Sequence, residues 1–161
     1  MNRRYFFGGL ATGFLLPLVI ASIVLYFFLR PPSFSLDELR LHDLSNNQVT
    51  AASLKGKPLL INFWATWCKP CLLELPDLLK AQDSLKGKAT FVFVSDETTD
   101  QVARFVKAKG FKGLFVCTPL DLVQQGLKVR PATYFYDDQC KISDTHLGPL
   151  DYKTVMKNFR Q

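Results

Sequence analysis

Several absences in this sequence already close off whole classes of function. Its 161 residues include only two histidines and four cysteines. A zinc site takes about four ligands at recognisable spacing. His42 and His146 have no ligand spacing to the Cys68–Cys71 pair, and no second ligand pair accompanies them, so no metal and no cofactor is expected. Lysine and arginine form no run or stripe of the kind a phosphate-binding surface needs, which argues against nucleic acid. There is no internal repeat and no low-complexity tract. Acidic residues are missing from residues 1–30, which hold three arginines. Without that segment, 131 residues carry 17 Lys and Arg against 14 Asp and Glu, so much of the net charge of +6 belongs to the amino terminus. The length fits one domain, since a domain takes about 100–200 residues.

The first 30 residues are apolar where they are not basic. Tyr5 to Leu29 is a stretch of 25 residues without a charge. As a helix it would reach about 38 Å, enough for a hydrocarbon core of about 30 Å. A cleaved signal peptide is the competing reading. Its apolar region runs about 7–15 residues and ends in small residues, whereas bulky Tyr26, Phe27, Phe28 and Leu29 close this one. Gly8, Gly9, Gly13 and Pro17 would shorten the helical run. The expectation is an uncleaved signal anchor over residues 1–30, contacting the lipid bilayer through residues 5–29. Arg3 and Arg4 favour a cytoplasmic amino terminus, although Arg30 pulls the other way. The remainder, residues 31–161, would then lie on the periplasmic or other extracytoplasmic side of the inner membrane, where disulfides persist.

Residues 31–161 read as one α/β domain. Short apolar stretches around Asn46-Asn47-Gln48 suit a lead-in hairpin. Residues 58–64, 90–94 and 114–117 are mostly apolar runs, as buried strands should be. Helical spacing follows from Cys68 to about Leu85 and again through Val102, Phe105 and Val106 to Gly110. Leu120, Val123 and Leu127 suggest a short helix. Ala132–Tyr136, a turn at Asp137-Asp138-Gln139 and Cys140–Ser143 read as a hairpin. Tyr152, Val155, Met156 and Phe159 mark a closing helix. Strands that alternate with helices imply parallel pairing, and the hairpin adds antiparallel strands, so a mixed central sheet flanked by helices is expected.

One short motif carries chemistry. Trp67-Cys68-Lys69-Pro70-Cys71 stands where the first buried strand gives way to the first long helix. Two cysteines at this spacing at a helix start bring their sulfurs within disulfide range. At the N-terminus, unpaired N–H groups and the positive end of the helix dipole stabilise a thiolate. Lys69 adds a positive charge nearby, and Pro70 presets a helical φ without leaving an N–H unpaired. Cys68 is therefore the expected attacking sulfur, and Cys71, one turn in, the resolving one. A Cys-x-x-Cys beside a strand–helix pattern is a thioredoxin-like redox signal.

The run Phe63-Trp64-Ala65-Thr66-Trp67-Cys68-Lys69-Pro70-Cys71, followed by Glu74-Leu75-Pro76, resembles membrane-anchored thiol–disulfide oxidoreductases of the TlpA/ResA and cytochrome c maturation (DsbE-like) type, within the thioredoxin superfamily. The resemblance runs from about Leu36 to the C-terminus and includes Leu54-Lys55-Gly56-Lys57-Pro58. It implies a thioredoxin-like fold with an inserted helix and strand near residues 97–118. It also implies a cis peptide before Pro131 that faces the sulfurs and helps bind an extended substrate. The residues alone leave Pro131 as an ordinary trans strand-starter, since only about 5–6% of X–Pro bonds are cis.

Two positions depart from the family pattern. Arg130 replaces a small or apolar residue before that proline; near Cys68 it would favour the thiolate and attract acidic substrate segments. Asn62 stands where minimal thioredoxins carry a buried acid, and it cannot titrate. Glu74, one turn beyond Cys71, is the nearest acid to take that part, its alternative being a solvated surface glutamate. Trp64 reads as core, Trp67 as the exposed rim of the site, and Pro76 as a kink. Cys117 and Cys140 read as two independent thiols, with a second disulfide as the alternative.

The leading expectation is a membrane-tethered enzyme that exchanges disulfides with extracytoplasmic protein thiols, more as reductase than oxidant. Its partners would be proteins with reactive Cys pairs and a membrane electron donor or acceptor for thiols. Cytochrome c maturation is one duty, although Ala132-Thr133 follows Pro131 where that subgroup often has an acid. Two other classes share the fold. A copper-delivery metallochaperone would typically use Cys-x-x-x-Cys with a distant His, one residue more than here. A thiol peroxidase would want Thr three residues before its reactive Cys, where this chain has Ala65.

Overall fold

The computed structural model describes residues 16–26, 36 and 38–159. The chain divides into two compact units, Met1–Pro31 and Pro32–Gln161. In the first, residues 16–26 form helix α1, with every side chain exposed. The expected membrane span, residues 5–29, lies partly outside the described residues. Among those described, no helix is long and apolar enough to cross a membrane.

The second unit is built on seven strands: β1 (Leu41–Asp43), β2 (Gln48–Val49), β3 (Leu59–Phe63), β4 (Thr90–Ser95), β5 (Leu114–Cys117), β6 (Ala132–Tyr136) and β7 (Ile142–Leu147). Four helices accompany them: α2 (Ala51–Leu54), α3 (Lys69–Ser84), α4 (Thr99–Lys109) and α5 (Tyr152–Asn158). The strands form one sheet in the order β2-β1-β5-β4-β3-β6-β7. β3, β4 and β5 are parallel, and the pairs β3–β6, β6–β7, β1–β5 and β1–β2 are antiparallel. This is the mixed α/β sheet flanked by helices that the alternation of elements predicts.

The continuous apolar runs of the central strands follow from burial on both faces. Leu60, Phe91, Phe93, Phe115 and Phe135 turn to the face packed by α3 and α5, with Leu75, Leu78 and Val155. Their neighbours Leu59, Ile61, Phe63, Val92 and Val94 turn to the other face, against Leu39, Leu54, Leu122 and Leu127. Trp64 is fully buried, 5.5 Å from the Phe115 ring centroid, and Phe115 stacks on Phe93 at 4.8 Å.

Local chemistry sets the ends of the elements. Thr98 caps α4 through the Gln101 N–H, and Gly110 closes it in the left-handed region at φ 67°. Asp151 caps α5 through the Thr154 N–H at 2.8 Å. Pro76 lies inside α3, where it lacks the N–H that would bond one turn back.

The stretch 120–127 departs from expectation. Its apolar spacing predicts a short helix, but Asp121 accepts the Val123 and Gln124 N–H groups, and the segment folds as successive turns ending at Gly126, φ 96°. The side-chain acceptor competes with the helix ladder for those donors. The short helix α2, capped by Thr50, carries no apolar periodicity long enough to announce it. Cys117 lies in β5 and Cys140 in the turn before β7, with β4 and β3 between β5 and β6, and the two are not bonded to each other.

Replacing Phe115 by Ala removes the ring shared by Trp64, Phe93 and Phe111. It should destabilise the domain by about 3–5 kcal/mol in denaturant unfolding. A loss below about 1 kcal/mol would mean that the cluster is not a packed core.

Candidate active site

β3 delivers the chain to the site. Trp64 continues the β3–β4 pairing by donating its N–H to the Val94 carbonyl, and the Cys68 N–H then closes a turn onto the Ala65 carbonyl at 3.1 Å. Cys68 is the N-cap of α3. Its Sγ accepts the Cys71 N–H at 3.4 Å, in the manner of a capping side chain, while its carbonyl receives the Leu72 N–H. Pro70, in the first turn, costs the helix no hydrogen bond. Cys68 and Cys71 are joined in a disulfide, their Cα atoms 5.3 Å apart. Cys71 is wholly buried and Cys68 is 4% exposed, so a partner reaches the pair from the Cys68 side.

Beside Cys68 runs a groove of about 370 Å³. One rim carries Trp67 and Pro70, and the other carries Val123, Leu127 and Arg130, with Lys69 and Lys128 also along it. Trp67 is 67% exposed, as the rim reading expects. The Arg130–Pro131 peptide bond is cis. β6 starts immediately after it and sets Thr133 opposite Asn62 in the sheet register.

Arg130 stands in the groove beside Cys68 with a charged partner of its own. Its guanidinium forms an ion pair with Asp96 and lies over the Trp67 ring, 5.6 Å from the centroid. The Asp96 carboxylate therefore meets the charge that was expected to act on Cys68. Chain order hides this pairing, because Asp96 and Arg130 are 34 residues apart.

Glu74 is not a surface residue. It is 4% exposed and faces the sheet. One carboxylate oxygen accepts the Asn62 side-chain N–H at 2.8 Å, and the other accepts the Leu150 N–H at 2.7 Å. Asn62 also donates to Thr133 Oγ1 at 3.0 Å. Burial pushes the Glu74 carboxyl up to about 7, against the two hydrogen bonds that pull it down. An acid one turn beyond Cys71 thus titrates near neutral pH. Asn62 occupies the strand position expected to hold an acid and instead supplies a donor to one.

Two further acids escaped sequence reasoning. Glu97 accepts the Thr66 N–H at 2.7 Å and the Thr66 hydroxyl at 2.6 Å, two residues before Cys68. Its neighbour Asp96 holds Arg130. The available signal was their place at the carboxyl end of a central parallel strand, where α/β proteins gather their sites. Among the described residues no cluster of three or more His, Cys, Asp or Glu could hold a metal ion.

Residues 30–145 match the model of the AhpC/TSA family. The chain belongs to that family. The "Thioredoxin-like protein YneN" of Bacillus subtilis is 33% identical over 133 residues, covering 78% of this chain and 74% of that protein. "Thiol-disulfide oxidoreductase ResA" of Bacillus thuringiensis is 38% identical over 72 residues, 44% of this chain and 42% of that protein. A thiol:disulfide interchange protein of thioredoxin family from Chlorobium tepidum has a similar solved structure, with TM-score 0.64 and 27% identity over 81% of this chain and 92% of that one. Within the AhpC/TSA family this chain is a thioredoxin-fold, ResA/DsbE-like thiol–disulfide oxidoreductase. Position 65, three residues before Cys68, carries the methyl side chain of a buried alanine and no hydroxyl.

The Glu74 assignment fixes a sign. A carboxyl raised by folding stabilises the folded chain below its unfolded value of about 4.3, and that contribution is lost as pH rises through about 7. Relative to Glu74→Gln, the native chain should lose on the order of 3 kcal/mol between about pH 4.5 and pH 8. Urea unfolding across that range measures it. Parallel curves for the two chains would return Glu74 to an ordinary carboxylate.

Proposed function

We propose that this protein is a membrane-tethered reductase of disulfides in extracytoplasmic proteins. The observation that carries the reading is the bonded Cys68–Cys71 pair at the start of α3, with Cys68 at the edge of a groove and Cys71 buried behind it. In the reduced enzyme, the Cys68 thiolate attacks one sulfur of a substrate disulfide. The other substrate sulfur leaves as a thiolate and takes up a proton, and Cys68 is held in a mixed disulfide. Cys71, deprotonated in its turn, attacks Cys68 Sγ. The second substrate sulfur departs and is protonated, and the Cys68–Cys71 disulfide re-forms. Two electrons and two protons pass to the substrate, and a membrane thiol donor restores the enzyme.

The surroundings of the sulfurs support the reducing direction. A pair becomes a strong oxidant when its reduced thiolate form is stabilised. Here Arg130 spends its charge on Asp96, and Glu74 places a carboxylate that is negative above about pH 7 one turn beyond Cys71. Both features withhold stabilisation from a thiolate and favour the bonded form, which suits a reductant. Glu74, buried one turn beyond Cys71 with a carboxyl pushed up to about 7, is the acid we assign to proton exchange with Cys71. Trp67, Lys69, Pro70 and Arg130 line the groove beside the pair and would contact substrate, together with the cis Pro131 that follows Arg130. Apo-cytochrome disulfides before haem attachment and other envelope disulfides are the substrate classes open to it.

The tether is residues 1–30, read as an uncleaved anchor with its amino terminus in the cytoplasm and the catalytic domain, residues 31–161, outside the inner membrane. Its support is the charge-free run from Tyr5 to Leu29 with arginines at both ends.

Cys71→Ser should leave mixed disulfides standing on Cys68, so that protein partners are trapped on non-reducing gels, whereas Cys68→Ser should trap none. Equal trapping by the two variants, or none by either, would remove the exchange mechanism.

A further inference from the structure

Two consecutive acids at the end of β4 reach opposite rims of the groove. Glu97 holds the Cys68 rim through Thr66: Oε2 accepts the Thr66 N–H at 2.7 Å, and Oε1 accepts its hydroxyl at 2.6 Å. The carboxylate is completed by the Ser95 hydroxyl at 3.0 Å and the Gln101 side-chain N–H. Four donors on one carboxylate leave it little freedom, and hydrogen bonds to a charged acceptor are stronger than neutral ones. Thr66 is inside the tight turn from Ala65 to Cys68. Asp96 holds the other rim: it pairs with Arg130, the residue before cis-Pro131, and its Oδ2 accepts the Leu122 N–H at 3.4 Å. Leu122 adjoins Val123, which lines that side of the groove.

We propose that Asp96 and Glu97 act together as a clamp that sets the groove's width, and so positions an extended polypeptide disulfide against Cys68. Both are positioning residues, since neither lines the groove itself. The clamp rests on reading the groove as the place where a protein disulfide meets Cys68. Their adjacency is what couples the rims. One rigid strand end, buried at Ser95, references both loops to the same point of the sheet. Arg130 then fixes the Trp67 ring across the gap, so the two rims are also joined at the surface.

A clamp of this kind acts on substrates that span both rims and spares those that touch one sulfur. The full-length protein in detergent, with dithiothreitol as electron donor, is assayed on insulin as the protein disulfide and on hydroxyethyl disulfide as the small one. Asp96→Asn and Glu97→Gln should each raise KM for insulin by about fivefold or more, with kcat held within about twofold and KM for hydroxyethyl disulfide moved less than about twofold. Because Asp96 works through Arg130, the Asp96→Asn/Arg130→Ala double variant should be no worse on insulin than Arg130→Ala alone. If Glu97→Gln fails to fold, Thr66→Val removes the hydroxyl donor alone and should show the same KM split in smaller measure. Equal KM changes on both substrates, additive effects in the double variant, or unchanged insulin KM in Asp96→Asn and Thr66→Val would each overturn the clamp while leaving disulfide exchange standing. A native chain that reduces neither disulfide would remove the exchange reading and the clamp with it.

Discussion

Everything distinctive about this molecule depends on a sulfur standing where a helix begins. Cys68 fills the cap position of α3 and takes the N–H of Cys71, the residue with which it forms a covalent bond. A helix start supplies unpaired donors in a fixed direction, and one of them, the Cys71 N–H, falls to Cys68 Sγ at the edge of the groove. Its partner is carried into the core by the first turn. This asymmetry requires β3 to end where it does, and β3 is an interior strand of the sheet with all five residues buried. The central sheet is thus the platform for the redox pair. The unit of α4 and β5 extends that platform, and the loop before α4 supplies the acids that brace the rims.

The second constraint is electrostatic. A carboxyl is buried one turn behind the resolving sulfur, and its hydrogen bonds from Asn62 and Leu150 only partly offset the loss of water. Asn62 Oδ1 has no hydrogen-bond partner among the described residues, so this polar cluster is not fully satisfied. Unsatisfied buried polar atoms of this kind are costly and gather at working sites. On the groove's other rim, Arg130 is paired with Asp96.

Much of this was legible in the linear chain, for physical reasons. Burial on both faces writes unbroken apolar runs, and these marked β3, β4 and β5. The thioredoxin-like arrangement and the Cys68–Cys71 pair followed from the strand–helix junction and its spacing. The cis bond before Pro131 came from the family resemblance alone, because the residues by themselves favour the ordinary trans isomer. What stayed hidden depended mostly on contacts distant in sequence, and in residues 120–127 on a local one. Glu74 was legible as the acid nearest Cys71, but its burial was not, because Asn62 and Leu150 are brought to it from 12 and 76 residues away. Arg130 looked free to act on Cys68 until the fold set Asp96 beside it. Residues 120–127 had helical spacing but lost the helix to the Asp121 side chain. The expected membrane span lies partly outside the described residues and remains a proposal.

The reduction potential of the Cys68–Cys71 couple tests the central claim most directly, because it reads the balance between bonded pair and thiolate in a single quantity. Equilibration of the full-length protein against glutathione or dithiothreitol buffers should place it at about −250 mV or lower, in the range of thioredoxin-type reductants. A value near about −120 mV, where strong disulfide oxidants lie, would show that the site stabilises the thiolate form and would contradict the account.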